Sequence, residues 1–209
     1  MNMAIIGISG KMGQLIYESY KDEFNIIGVD LINHPEVKTY DNIDEIINDV
    51  NIVVDFSSNE CFDFLKTALK KHKKVLSGTT GYSFEQIAEL KLLAKNNQTN
   101  FIWQANYARG INLFSDLAKE CMNKFDKLDL VEIHSTTKKD KPSGTAKVLA
   151  KSLGISEENI QSVRVNNAPT IHEIIFSSFD ERLIIRHEVL NKKAFLKGFD
   201  DILRKIIRS

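Results

Sequence analysis

The sequence lacks the features that would tie it to an oxidising compartment, to nucleic acid or to a membrane. Only two of its 209 residues are cysteine, Cys61 and Cys121, and they form no spaced pair. Neither a disulfide framework nor a metal site is written in them, and the expectation is two reduced thiols and no metal. Charge of one sign is also missing. Lys+Arg and Asp+Glu both number 28, so no overall field draws the chain to nucleic acid or anionic lipid. No stretch approaches the roughly 18 apolar residues of a membrane span, and the start runs straight into Met-Ala-Ile-Ile-Gly-Ile without a basic leader. The expected place is the cytoplasm. There are no repeats and no low-complexity tract. What is there, 43% hydrophobic and 27% charged, suits a globular chain with one or two ordinary cores.

The first hundred residues alternate short apolar runs with helical patterns. Met3 to Ile8 ends in Gly7-Ile8-Ser9-Gly10-Lys11-Met12-Gly13, and Gln14 to Lys21 then reads as a helix. Strand, glycine turn, helix is the opening of a dinucleotide-binding unit: glycine lets the backbone turn tightly and approach a pyrophosphate, and the helix start supplies N–H donors. The spacing is Gly-x-x-Gly-x-x-Gly and not the commoner Gly-x-Gly-x-x-Gly, so a purely structural turn competes. Asp30 closes the next apolar run, roughly 20 residues on, where an acid commonly holds the ribose 2′-hydroxyl of NAD. A carboxylate there repels the 2′-phosphate of NADPH. NADH is therefore favoured, with NADPH left open.

The alternation continues through a short amphipathic helix at Asp41 to Asn48, a buried strand at Asn51 to Asp55, a helix at Asn59 to Lys71, a strand at Lys74 to Ser77, a helix at Phe84 to Lys95 and a strand at Asn100 to Trp103. This pattern predicts an α/β fold with a Rossmann-type doubly wound parallel sheet. Loops at the carboxyl ends of its strands, Phe56-Ser57 and Gly78-Thr79-Thr80-Gly81, should border the nicotinamide. Beyond them, Gly110 to Phe125 has helical spacing, with Leu113, Leu117, Ala118 and Cys121 along its apolar side and Phe114 and Met122 widening that stripe. Runs at Ser162 to Val165, Glu173 to Ser178 and Leu183 to Val189 read as strands of a second, mostly antiparallel or mixed sheet with helices on one face. Lys192 to Arg208 reads as a helix that returns to the first domain. The expected organisation is residues 1–106, completed by 190–209, for the dinucleotide, and a smaller α+β domain, 107–189, for substrate and assembly. His172 and His187 read as packing or rim residues.

The stretch from Glu132 to Ala146 carries the chemistry. Leu128 to Thr136 reads as a strand whose Leu128, Leu130 and Ile133 face a core while His134 points elsewhere. The strand breaks at Lys138 to Pro142, and Ser143 then opens a helix to Leu153. A Ser cap leaves helix N–H groups pointing outward with the positive end of the dipole, which binds carboxylate or phosphate. An imidazole, the ammonium groups of Lys138, Lys139 and Lys141, and an anion-binding helix start together suit a small acidic molecule that must receive a proton.

At these residues the sequence resembles the 4-hydroxy-tetrahydrodipicolinate reductase (dihydrodipicolinate reductase) family. Its pattern Glu-x-His-His-x-x-Lys-x-Asp-x-Pro-Ser-Gly-Thr-Ala is matched by Glu132, His134, Lys138, Asp140, Pro142, Ser143, Gly144, Thr145 and Ala146. Ser135 stands where the second His is usual. The family also writes its first loop Gly-x-x-Gly-x-Met-Gly and has Gly-Thr-Thr-Gly at the position of Gly78 to Gly81. The resemblance implies NAD(P)H-dependent reduction of a cyclic dicarboxylate, with His134 and Lys138 as the acid–base pair. It implies Gly144, Thr145 and Ser135 on the substrate, Ser135 more weakly than a histidine. It further implies Gly7 to Met12, Asp30, Gly78, Thr79, Thr80 and the segment Ala105, Asn106, Tyr107 and Ala108 on the cofactor, and a homotetramer. A non-catalytic dinucleotide sensor, or a reductase of a related dicarboxylate, is the competing reading.

Overall fold

The computed structural model describes residues 1–208, which form two compact units: residues 1–104 with the chain from Asp200 on, and residues 105–199. In the first, six parallel strands stand in the order β3 (Thr39–Tyr40), β2 (Asn25–Val29), β1 (Asn2–Ile6), β4 (Ile52–Asp55), β5 (Lys74–Ser77) and β6 (Phe101–Trp103). All four residues of β4 are buried, as a central parallel strand covered on both faces requires. The helices α1 (Lys11–Tyr20), α2 (Phe62–Lys70) and α3 (Phe84–Asn96) make the crossovers. Leu65, Ala68 and Leu69 of α2 and Ile87 and Leu90 of α3 pack with Ala4, Val53 and Val75 of the sheet. Helix α3 begins in a capping box: Ser83 accepts from the Gln86 N–H and the Gln86 side chain from the Ser83 N–H. This strand order is the Rossmann one, whose direction reverses between β1 and β4.

One expectation needs correction in this unit. Residues 41–48 form one 3₁₀ turn, Ile43–Glu45, and not a helix. Ile43, Ile46, Ile47 and Val50 are buried as expected, but Asn42 bonds the Asp44 N–H and the segment is too short to propagate helix. The edge strand β3 was not legible at all, because two residues carry no period.

The second unit is a mixed sheet, β10 (Arg182–Val189), β9 (Thr170–Ser177), β7 (Lys127–Ser135) and β8 (Ile160–Val165), in which only the β7–β8 pair is parallel. Helices α4 (Arg109–Cys121) and α5 (Gly144–Ser152) cover one face, where Ile111, Phe114, Ala118, Leu149 and Ala150 meet Leu130, Ile174 and Phe176. Phe114 and Ala118 of the expected α4 stripe are buried, but Leu113 and Leu117 are exposed and Ile111 lies inside in their stead. Leu113 and Leu117 share a helix side, but Ile111, Phe114 and Ala118 share another, and the sheet selects the second. His134 is also displaced from expectation. Strand period 2 puts it on the face of Leu128 and Leu130, and Ile133 is the residue that faces away. The last helix, α6 (Lys193–Arg208), contributes its residues to Phe199 to the second unit and those from Asp200 to the first. There Tyr20 donates to Asp200 at 3.0 Å, and Arg204 bonds Asp200 and Glu23. No helix among the described residues is long and apolar enough to cross a membrane.

Candidate active site

In the first unit the glycine loop follows β1. Gly7 has φ +80°, and a Cβ there would stand 2.6 Å from the Phe56 carbonyl oxygen. A Cβ at Gly13 would stand 2.1 Å from the Gly7 carbonyl oxygen, so α1 sits hard against the loop. Gly10 caps α1 with no side-chain bond, and no acid occupies the first turn. A cleft of about 490 Å³ opens here, lined by Gly7, Ser9, Gly10, Asp30, Phe56 and Ser57 among others. Asp30 accepts from the Ser9 N–H at 3.0 Å and from the Ile32 N–H at 3.2 Å, tying the glycine loop to the end of β2. Bare backbone, an uncapped helix start and a carboxylate across the cleft fit a pyrophosphate and a ribose. Lys11 is exposed and Met12 half-buried, whereas the Ile8 side chain is core, leaving only its backbone for a ligand.

The loops after β4 and β5 are bound together by a carboxylate that sequence reasoning passed over. Asp55, wholly buried, accepts from the hydroxyls of Ser57 (2.5 Å), Ser77 (2.7 Å) and Tyr82 (3.1 Å). Burial pushes its pKa up, against the opposing pull of these bonds. Thr79 is buried too: its hydroxyl oxygen accepts from the Ser57 N–H and its carbonyl from the Trp103 indole. Gly78 has no room for a side chain, since a Cβ would stand 2.0 Å from the Phe56 ring, and Thr80 beside it is half-buried. The only trace of Asp55 in the sequence is a charge ending an otherwise apolar strand.

In the second unit Glu132 and His134 lie on the helix-covered face of β7. Register sets Ser162 of β8 and His172 of β9 directly beside Glu132, His187 of β10 beside His172, and Arg164 of β8 beside His134. Glu132 is fully buried, with Oε1 2.9 Å from the Arg164 guanidinium and Oε2 2.5 Å from His134 Nδ1. The Ser143 N–H also approaches Oε1, at 3.4 Å. Burial alone would raise the carboxyl's pKa, but His134, Ser162 and Arg164 outweigh it and hold it well below the usual range. His172 is fully buried and edge-on to His134, ring centroids 5.4 Å apart. Burial first, and then His134, push its pKa down to about 3. Arg164 and His172 were missed as site residues because neither lies near the motif in sequence.

Further along the motif, Lys138 to Pro142 lie toward the surface, whereas Ser143 to Ala146 are buried. Lys138 Nζ meets both Asp140 carboxylate oxygens, at 2.7 and 3.0 Å, and Asp140 also accepts from the Gly144 N–H at 3.3 Å. Ser143 caps α5 through the Ala146 N–H. Thr145 donates to the Ala105 carbonyl at 3.1 Å. Asn106 accepts from the Ala108 N–H, and Tyr107 stacks edge-on against Phe199, so Ala105 to Ala108 builds the entry to α4. Ser135 accepts from the Thr137 N–H and hydroxyl. Donor atoms of Glu132, His134 and His172 lie within 4.8 Å of one another, close enough for a metal ion to be considered. The Arg164 guanidinium already neutralises the one carboxylate, which disfavours a cation there.

Comparison with known proteins bears on the family and the fold. A reductase named 4-hydroxy-tetrahydrodipicolinate reductase from Rickettsia peacockii is 35% identical over 95% of this chain and 90% of its own. The solved structure of a dipicolinate-bound dihydrodipicolinate reductase from Paenisporosarcina sp. TG-14 superposes with a TM-score of 0.76 at 22% identity, covering 100% of this chain and 95% of that one. An aspartate dehydrogenase from Thermotoga maritima shares the fold at a TM-score of 0.65 and 17% identity, over 98% and 96% of the two chains. Residues 1–107 match the family described as dihydrodipicolinate reductase, N-terminus, and residues 110–209 that described as its C-terminus. With both halves matched and a relative aligned along nearly the whole sequence, the chain belongs to the dihydrodipicolinate reductase family.

Proposed function

We infer that this protein reduces 4-hydroxy-tetrahydrodipicolinate to tetrahydrodipicolinate with a reduced nicotinamide dinucleotide, in lysine and diaminopimelate synthesis. The observation that carries the reading is the grip on Asp140: the Lys138 ammonium and the Gly144 N–H at the start of α5 converge on one carboxylate. A substrate carboxylate asks for the same two donors. Reduction of a conjugated imine adds one hydride and one proton. The bound nicotinamide supplies the hydride. His134 and Lys138 move the proton, since an imidazole ring nitrogen can accept or give one and an ammonium both donates and binds. Gly144 and Thr145 hold a substrate carboxylate, and Ser135 gives a neutral hydrogen bond.

In the first unit the backbone of Gly7 to Met12 receives the pyrophosphate, Asp30 the ribose, and the Gly78 to Thr80 loop borders the nicotinamide, with Ala105 to Ala108 completing the cofactor contacts. Asp30 favours NADH. The uncovered face of the second sheet carries Val163, Val165 and Ile184, 41%, 46% and 53% exposed, and such a face supports association with further copies, which the proposal takes to be a homotetramer; the proposed place is the cytoplasm. The test is NADH and NADPH oxidation by the purified chain, with substrate generated from pyruvate and aspartate semialdehyde by a condensing enzyme, beside His134→Ala. Rapid oxidation that collapses in the variant is expected. Cofactor binding without oxidation would overturn the reading in favour of a sensor.

A further inference from the structure

The buried row across the second sheet assigns a role to a residue outside the acid–base pair. His134 Nδ1 and Glu132 Oε2 are 2.5 Å apart, His134 Nδ1 makes no hydrogen bond to any other group, and the uncharged Ser162 hydroxyl is the neighbour of Glu132 on β8. The contact is bent from the line of an ideal hydrogen bond. At that separation, however, a bare nitrogen lone pair against a carboxylate oxygen is repulsive, and only a proton on Nδ1 makes the arrangement favourable. Every other group facing Glu132 is a donor or is uncharged. Arg164 and the Ser143 N–H take Oε1, and His172, kept neutral by burial, does not compete for Oε2.

We propose that Glu132 is a positioning residue that fixes His134 as its Nδ1–H tautomer and leaves Nε2 as the nitrogen that exchanges the substrate proton. The role in turnover rests on the reductase reading; the tautomer does not. Glu132→Gln tests both. Arg164 and Ser143 N–H can only donate to the side chain at 132, so the amide oxygen takes the Oε1 position and the amide NH₂ faces His134 Nδ1. That forces the proton to Nε2, the wrong tautomer for a base.

The measurement is the ring ¹⁵N spectrum of the full chain labelled at histidine, with His134 assigned by its loss in His134→Asn. In the unaltered protein Nδ1 carries the proton, and in Glu132→Gln it moves to Nε2. The same variant loses about 100-fold in kcat, the low end of what a positioned acid–base contributes, while KM for the dinucleotide stays within about twofold. A wild-type spectrum with the proton on Nε2 overturns the proposal whether or not the variant folds. So does a shifted tautomer with unchanged kcat in a chain that turns over. A chain whose spectrum shows Nδ1–H but which reduces nothing keeps the tautomer assignment and rejects the reductase reading. Activity that needs added Zn²⁺ and is lost to a chelator would replace the dyad with a metal site.

Discussion

Lys138 and Asp140 are joined through both carboxylate oxygens, and the same carboxylate closes the N-terminal turn of α5 through the Gly144 N–H. On the proposed function, Asp140 sits on the two donors that a substrate carboxylate would use. Its side chain is 42% exposed, and a pair so exposed is worth no more than about 1 kcal/mol, so an incoming dianion displaces it readily. Replacing the charge should help: Asp140→Asn is expected to lower the Kd for dipicolinate by about three- to tenfold, read by calorimetry. A weaker complex would show that Asp140 orients Lys138 instead of competing for it.

Ser135 offers a hydroxyl where the family pattern has a second histidine, and that hydroxyl accepts from Thr137. Exchanging a charge-assisted bond for a neutral one costs about 1 kcal/mol. Ser135→His should lower the Michaelis constant for substrate about fivefold with kcat little changed. A constant that stays or rises sinks the idea.

Asp30 both faces the cleft and ties Ser9 to Ile32. Removing it takes away the repulsion of a 2′-phosphate and one anchor of the loop together. The ratio of kcat/KM for NADH to that for NADPH should fall at least about tenfold in Asp30→Ala, roughly the 1.4 kcal/mol of one such contact. An unchanged ratio would mean that the carboxylate is purely structural.

His172 makes folding stability depend on pH. The unfolded chain takes up a proton at this residue near pH 6.5, whereas the folded chain resists until about pH 3. Between those values the unfolded state holds the extra proton, so stability falls as the pH drops, by about 1.4 kcal/mol per unit for one group. His187, whose pKa burial also lowers, adds in the same direction. Urea melts of His172→Phe between about pH 6.5 and 5 should show a shallower slope than the parent; an equal slope would assign the effect elsewhere.

Much of this was legible in one dimension. The strand–glycine–helix opening reads at Met3 to Lys21 because a tight turn and a helix start are local, and Lys74 to Ser77 reads to the residue because a buried parallel strand is a short unbroken apolar run. Failures came where a local signal was ambiguous. Residues 41–48 have helical spacing without the length to hold it, and α4 has apolar residues on two sides. His134 stands an even number of positions from Leu128 and Leu130 and so shares their face, which a reading that points it elsewhere does not respect.

The sequence by itself determined the order of the main elements, β3 and the turn at residues 43–45 apart, the glycine loop, and the run from Glu132 to Ala146 that joins an imidazole, an ammonium and a helix start, since all of these are set by neighbours within a few residues. Only the tertiary structure decided that Arg164 and His172 flank Glu132, and that Ser57, Ser77 and Tyr82 converge on Asp55. Those contacts span up to 40 positions along the chain, and strand register, a collective outcome of packing both faces of a sheet, is what brings them together.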